Sequence, residues 1–436
     1  MTLSTPAGLV RGIRRWDLVA LAINFIVGAG IFGLPSRVYR LSGPASLIAL
    51  AICAAALFLV VLCFAEVGSR YVETGGPYLY ARDAFGPLVG FEVGWLRWLS
   101  GVTSFAANSN LLVDYSSYLW PTVNAEPWRA LVITALSVSL TIINLLGVRD
   151  AAAASNLFAV GKMAPLVLFI AVGVFFVDPQ RLLITRGASY GALSLSVLLL
   201  VHTFTGFESV GIAAGEVRDP QRSVPFALFT AIGAITLMYL LIQAVCIGTL
   251  QELASSTRPL ADAGTLFLGS AGGYLIALGA IISIAGNLSG QLLVTPRTIF
   301  AMAEQRQLPQ AFASVHPRFR TPYVSILSSA AVILGFALSG TFIQLVTISV
   351  LSRVAVYAIT CLALPVLRRK SNLREPSFKV PSGNLIAIAA FLMCLWMLSS
   401  STKGEALMTT IAAAVGLLLY LAHKMRTARS SRELRT

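Results

Sequence analysis

Apolar residues gather along the chain in twelve stretches of about twenty residues, the length a helix needs to cross a bilayer. They lie at roughly 17–37, 44–66, 86–113, 128–147, 154–177, 190–216, 224–249, 264–301, 322–339, 342–367, 383–399 and 406–423. The pattern predicts an all-α polytopic membrane protein with twelve transmembrane helices. The first stretch, after Arg14 and Arg15, reads as a true span and not as a signal peptide, because it is too long and lacks a small-residue cleavage site. Composition agrees. With 57% hydrophobic and 11% charged residues, and a mean hydropathy of +0.81, the 436 residues cannot hide their apolar surface in a water-soluble core, so lipid must be the solvent.

Charge then orients the spans. The net charge of +14 is scattered through short loops and not gathered on one soluble face, which argues against nucleic acid as a partner. With the amino terminus inside, the inner segments hold 21 Lys and Arg and the outer loops seven, so the bias places both termini in the cytoplasm. The expected location is the inner (plasma) membrane, as a multi-pass protein. The richest inner segments, "LRRKSNLREPSFK" from Leu367 and "HKMRTARSSRELR" from His423, fit positive-inside topology first and contact with anionic lipid second. The five cysteines, Cys53, Cys63, Cys246, Cys361 and Cys394, fall inside apolar runs and imply neither a disulfide frame nor a zinc site.

One stretch interrupts this regularity. In "INFIVGAGIFGLPSRV", from Ile23, three glycines (Gly28, Gly30, Gly33) fall within six residues and Pro35 follows. Scattered small residues in a span usually let a neighbouring helix approach. This cluster instead predicts a break in the helix, which lipid permits only where the break is buried in protein or lines a cavity. Unwound backbone would then supply N–H and carbonyl groups for binding at mid-membrane depth. A second soft spot lies in "VHTFTGFESVGIAAGEVRDPQRSVP", where Thr203, Thr205, Gly206 and Glu208 occur inside an apolar run. Gly206 follows Ala29 by 177 residues, and the same offset carries the start of the third span, near Gly86, to the start of the eighth. The register fits two inverted five-helix repeats with broken helices at matching positions. The predicted organisation is a cytoplasmic segment 1–16, repeats at 17–177 and 190–367, two added helices within 383–423, and a basic tail 424–436.

"GAGIFGLP" in span 1, "GFESVGIAAGEVRDPQRSVP" at span 6 and "RTIFAMAEQRQLPQAFASVHPRFRTP" after span 8 closely resemble the amino acid–polyamine–organocation (APC) transporters. "GGPYLYARDAFG" before span 3 resembles them too, and Gly75, Gly76 and Pro77 there support a turn and a short interfacial segment. The resemblance runs from Asp17 to the twelfth span. It implies the fold of the bacterial leucine transporter, with spans 1 and 6 discontinuous and a substrate held between their unwound parts. In such a site the N–H groups opening a half-helix suit a carboxylate, and the carbonyls closing the preceding one suit an ammonium. By the motif match, Gly28, Ala29 and Gly30 face the carboxylate through backbone, and Ile26 and Phe204 offer carbonyls to the amine. Thr205, Gly206 and Phe207 are expected to line the pocket.

Ionisable residues deep in a span are costly unless paired, hydrated or functional. Glu208 either carries a proton, senses substrate or ties broken backbone. Lys162, about 12 Å from its span's end at 1.5 Å per residue, is either a snorkelling anchor or, as the resemblance implies, an ammonium standing where sodium-coupled relatives bind sodium. The second reading is preferred, and with it Lys162 and Glu208 become the coupling and gating residues. His202 departs from the family pattern, which carries an aromatic there; gating or packing is preferred over a proton relay. Arg353 has three possible partners, Glu208, Asp114 and a substrate carboxylate, and both it and Arg97 read best as structural counter-charges. Asp219–Pro220 reads as a helix terminator at the membrane surface.

The expected function is secondary active transport of an amino acid, preferably neutral, by proton-coupled symport with alternating access. The expected partners are the amino acid, protons and the bilayer, with no cofactor and no metal. An exchanger of amino acids or amines, including cationic amino acids and polyamines, is the alternative. A membrane-embedded enzyme using Glu208, His202 and Ser209 is remote, since no metal cluster or nucleophile elbow accompanies them. A channel would need polar positions recurring along a span.

Overall fold

The computed structural model describes residues 14–71, 76–146, 151–184, 187–208, 220–370 and 374–433. The expectations for Gly75, Ser209, Asp219, most of the amino-terminal segment and most of "GFESVGIAAGEVRDPQRSVP" lie outside the described residues. Among the described residues all regular structure is helical.

The chain opens with α1 (Arg15–Ile26), a three-residue interruption, and α2 (Gly30–Ser42). It continues through α3 (Ser46–Gly68), the short α4 (Pro77–Phe85), α5 (Pro87–Ser116), α6 (Trp128–Leu146), α7 (Ala151–Gly173) and α8 (Tyr190–Leu200). Then come α9 (Pro220–Thr249), α10 (Pro259–Glu304), α11 (Tyr323–Ser339), α12 (Phe342–Arg368), α13 (Gly383–Ser399) and α14 (Lys403–Glu433). Among the described residues six helical segments are long and apolar enough to cross a membrane: Gly30–Gly68, Trp128–Leu146, Arg222–Thr249, Pro259–Glu304, Phe342–Arg368 and Lys403–Met425. Four more, Lys162–Phe176, Tyr190–Phe204, Tyr323–Ser339 and Gly383–Ser399, are apolar and shorter. Interruption is one reason that uninterrupted long helices are fewer than twelve. At 1.5 Å per residue α1 and α8 are each roughly 17 Å long, well short of the ~30 Å hydrocarbon layer.

α5 is the central post. It packs along α12, α10, α4 and α11, and nearly every residue from Gly90 to Val113 except Glu92, Trp95 and Arg97 is buried. Small and polar residues fill this face, including Gly101, Ser100, Thr103, Ser104 and Asn108. Small side chains let backbones come close where lipid supplies no hydrophobic drive for helix association. Ser100 Oγ donates to Ser349 O on α12 at 2.9 Å, and Ser349 Oγ returns the bond to Ser100 O at the same distance. Around this post α1 lies on α9, α2 on α8, and α3 between α9 and α13. α14 stands outside, touching mainly α5 and α12, and only 6% of its apolar window is buried in protein.

Two departures from the sequence pattern have local causes. Pro35 sits inside α2, and the helix breaks upstream of it, at Val27–Ala29. The stretch predicted as one span at 264–301 belongs to a helix that starts earlier and kinks at Gly269, whose φ of 69° is open to glycine at little cost.

At one end of the bundle Glu66, fully buried, closes α3 onto the chain that follows α12. Arg368 donates to it through Nε (2.7 Å) and Nη2 (2.6 Å), and the Val380 backbone N–H adds a third bond at 2.7 Å. Arg368 Nη2 also donates to Val380 O, and Arg70 Nη1 to Arg374 O.

Candidate functional site

The interruption between α1 and α2 follows from its residues. Val27 turns to extended backbone (φ −69°, ψ 103°), and Ala29 then caps α2. The N–H groups of the first turn of α2 find no acceptor within the helix, and the last carbonyls of α1 find no intrahelical donor. Lys162 of α7 meets that need from the side. Its Nζ donates to Val27 O at 3.0 Å and to Asn24 O, and the side chain is buried. An ammonium is thus spent on the carbonyl end of a broken helix, where the dipole is negative.

The second interruption follows α8. The helix tightens into a 3₁₀ turn at Val201–Phe204, becomes extended at Thr205 (φ −67°, ψ 147°), and passes Gly206 at φ 115°. Such a φ is strained for any residue with a Cβ. Space forbids one as well, since a Cβ on Gly206 would fall 2.3 Å from the Phe25 carbonyl oxygen. The converse contact lies one turn away, where a Cβ on Gly30 would fall 2.8 Å from Thr203 Cα and 3.1 Å from His202 O. The two broken stretches therefore touch backbone to backbone. Tyr239 of α9 closes them from behind, its hydroxyl 3.1 Å from Thr203 O and 3.5 Å from Ile26 O, so that one proton serves both breaks.

Polar side chains continue from this junction in two directions. In one, His202 Nε2 lies 3.2 Å from Asn108 Oδ1 on α5, and Asn108 Nδ2 donates to Asn287 Oδ1 on α10 at 3.1 Å. Gln291 Nε2 donates to the same Oδ1 at 2.5 Å, and Asn287 faces Gly28, where a Cβ would meet its Nδ2 at 2.7 Å. The other ring nitrogen of His202, Nδ1, is buried without a hydrogen-bond partner. In the other direction stands Glu208. Its Oε1 accepts from Arg353 Nη1 (3.0 Å) and Tyr357 Oη (2.6 Å), both on α12, and its Oε2 accepts from Gly206 N (2.8 Å). Of the two protein carboxylates open to Arg353, it pairs with Glu208, while Asp114 pairs with Arg129 at 3.1 Å. Arg97 of α5 is within electrostatic reach of both Arg353 and Glu208.

The remaining singled-out residues divide. Ala29 is buried at the junction. Thr205 is partly exposed, with Oγ1 donating to His202 O at 3.0 Å. The ring of Phe204 packs on Tyr239, and that of Phe207 between Phe64 and Tyr357. Both rings are 2% exposed and belong to the aromatic core.

A sequence model of the family described as amino acid permease matches residues 13–419. The chain belongs to the amino acid permease family. This permease is 28% identical to a methylthioribose transporter of Bacillus subtilis, over 97% of its own chain and 95% of the relative. It is also 28% identical to a serine/threonine exchanger of the same organism (94% and 95%), and 24% identical to a branched-chain amino acid permease there (97% and 95%). The family places it among multi-pass membrane transporters and not among enzymes.

Sequence reasoning missed several residues of the permease's junction: Tyr239, Asn108, Asn287, Gln291 and Tyr357. A signal existed for the amides, since Asn and Gln inside apolar runs are as exceptional as charges and must find partners there. Tyrosines are too frequent at span ends for position alone to mark Tyr239 and Tyr357.

Proposed function

We propose that the protein is a proton-coupled amino acid symporter working by alternating access, with a zwitterion held between the two helix breaks. One observation carries the reading: two interrupted helices meet backbone to backbone at Gly30–Thr203 and Gly206–Phe25, with a buried lysine on the carbonyl end of one of them. In the proposed architecture the twelve spans form two inverted repeats plus two helices, with both termini cytoplasmic. The α2 end of the first break offers N–H groups of Gly28, Ala29 and Gly30 to a carboxylate, and the carbonyls of Ile26 and Phe204 receive the amine. Alternating access needs the junction to part, which exposes those groups in exchange for the contacts that Gly30, Gly206 and Tyr239 make in the closed arrangement.

A neutral amino acid fits best. Both Glu208 oxygens are engaged by Arg353, Tyr357 and Gly206, which leaves no carboxylate at the junction for a cationic side chain. The polar chain of His202, Asn108, Asn287 and Gln291 beside Gly28 is uncharged when the histidine is neutral, and the unpartnered Nδ1 of His202 can bond a small polar group. Lys162 is the proposed proton carrier. Deprotonation would release the Asn24 and Val27 carbonyls and loosen the break, so the proton state of one amine biases the gate.

Exchange is the second reading, supported by the likeness to the serine/threonine exchanger. Uptake into proteoliposomes of a panel of labelled amino acids, with and without a pH gradient, separates the two. Accumulation driven by the gradient supports symport. Uptake that requires unlabelled substrate inside supports exchange, and no uptake of any amino acid under either condition rejects both.

A further inference from the structure

We infer that the side-chain subsite beside the helix breaks takes an uncharged group that donates hydrogen bonds, a hydroxyl or a primary amide, and that His202 and Gln291 select it. The inference rests on the proposed substrate site at the breaks and adds which amino acids that site prefers.

The directions of the hydrogen bonds decide the chemistry. Asn108 Nδ2 donates to Asn287 Oδ1 at 3.1 Å, which leaves Asn108 Oδ1 to face His202. An amide oxygen only accepts, so His202 Nε2, 3.2 Å away, carries the proton. In the neutral imidazole the other nitrogen is then a bare acceptor, and Nδ1 is buried with no hydrogen-bond partner among the described residues. Gln291 repeats the pattern. Its Nε2 donates to the same Asn287 Oδ1, so its own Oε1 is left buried and unanswered among the described residues.

A third open group stands level with Gln291. α5 and α10 run antiparallel, as the close approaches of Gly94 to Met302, Gly101 to Thr295 and Asn108 to Asn287 require. That register sets Ser104, one turn from Asn108, opposite Gln291, and Ser104 Oγ is also buried without a partner among the described residues. Asn287, between them, faces Gly28 of the first break. Buried polar atoms are nearly always answered, and leaving one without a partner carries the full cost of its desolvation. Two bare acceptors and a hydroxyl gathered beside a proposed binding site therefore call for a ligand that brings donors. A hydroxyl brings one proton to Nδ1 or Oε1. A primary amide brings two and can accept from Ser104. An apolar side chain answers none of the three and keeps water from them as well.

Uptake by the full chain in proteoliposomes, measured with labelled amino acids matched in shape, tests the subsite. Threonine against valine reads the hydroxyl, and asparagine against leucine reads the amide. The wild type is expected to favour the donor-bearing member of at least one pair roughly tenfold in kcat/KM, and the pair that responds identifies the group. His202→Gln keeps a donor where Nε2 stands and deletes the acceptor at Nδ1, so it is expected to lower that ratio severalfold, as is Gln291→Leu. His202→Asn, which places an amide near the position of Nδ1, is expected to retain more of the ratio than His202→Gln. Equal uptake within both pairs by the wild type would overturn the inference, leave the open groups to bound water, and let the permease reading stand. A wild-type preference that survives in both His202→Gln and Gln291→Leu would overturn the assignment to these residues. Uptake of no amino acid at all would overturn the permease reading together with the inference built on it.

Discussion

Two buried carboxylates, Glu66 and Glu208, hold this permease together by the same means and to different ends. Each is bound by an arginine of α12 and by one backbone N–H, and each has a second arginine nearby, Arg70 for Glu66 and Arg97 for Glu208. At Glu66 the arginine is bidentate, and its remaining donor capacity goes to the Val380 carbonyl. At Glu208 the arginine is monodentate, a tyrosine takes part of the oxygen, and Arg353 Nε is left buried without a partner. The first arrangement is closed: every strong group is answered within a few ångströms, at a helix end where Arg368 still reaches water (18% exposed). The second is open, deep in the bundle, and attached to the residue that breaks a helix, Gly206. A satisfied network rigidifies, whereas an incompletely satisfied one can be rearranged by a ligand or a proton. The difference is the ground on which Glu66 is proposed as architecture and Glu208 as part of the proposed gate.

Substitutions that remove charge without changing shape should separate the two. Glu208→Gln is expected to have the largest effect, because it leaves Arg353, 6% exposed, and its neighbour Arg97 without a counter-charge in the membrane interior. Breaking a buried pair costs about 3–5 kcal/mol, which thermal unfolding in detergent would register alongside loss of uptake. The double variant Glu208→Gln/Arg353→Gln removes both charges, so it should recover much of the unfolding temperature and none of the transport. Recovery of transport as well would make Glu208 a purely architectural group like Glu66.

Lys162→Ala comes next. It deprives Asn24 O and Val27 O of their donor, and bonds from a charged donor contribute about 1.5–3 kcal/mol each. Membrane insertion should be unaffected, while uptake in proteoliposomes falls to background or loses its response to a pH gradient. Wild-type pH dependence in this variant would remove Lys162 from the coupling mechanism and return it to the role of an anchor.

Glu66→Gln tests the other member of the comparison. Its arginine can turn toward water, so a loss of about 2 kcal/mol is expected, the scale of charged hydrogen bonds reduced to neutral ones. Uptake per folded molecule should stay near wild type. A Glu66→Gln protein that is stable but inactive would show that the segment between α12 and α13 takes part in the transport cycle.

How much of this could be read in the sequence depended on whether the cause was local. The interruption at 27–29 has a local cause in Gly28, Ala29 and Gly30, and Lys162 announces itself as the one lysine inside an apolar run. Pro35 misleads, because proline is tolerated within α2 once the break upstream has already ended the ladder. The glycines have a second use that spacing does not reveal: Gly30 and Gly206 admit one another's backbones as well as freeing their own. Long-range pairings were out of reach. His202 meets Asn108 across 94 positions, Asn108 meets Asn287 across 179, and Arg353 meets Glu208 across 145. Phe204 and Phe207 show the same limit, since a residue beside a break turns its ring into the core or into a pocket according to neighbours on other helices.

The smallest expected effect sharpens the comparison most. Tyr357→Phe removes one hydroxyl and keeps the ring that packs against Phe64 and Phe207, so only the 2.6 Å bond to Glu208 Oε1 is lost. A hydrogen bond to a charged acceptor contributes about 1.5 kcal/mol at the low end of its range, a shift that a two-state unfolding measurement resolves. If Glu208 is part of a gate, the same deletion loosens its hold on Arg353 and Gly206, and the ratio of uptake to exchange rates should change while the unfolding temperature falls only slightly. If Glu208 is a fixed clamp, the small loss of stability should appear alone, because the ionic bond from Arg353 and the N–H of Gly206 remain to hold the carboxylate in place. A change in transport larger than the change in stability is therefore the signature that distinguishes a network built to move from one built to stay.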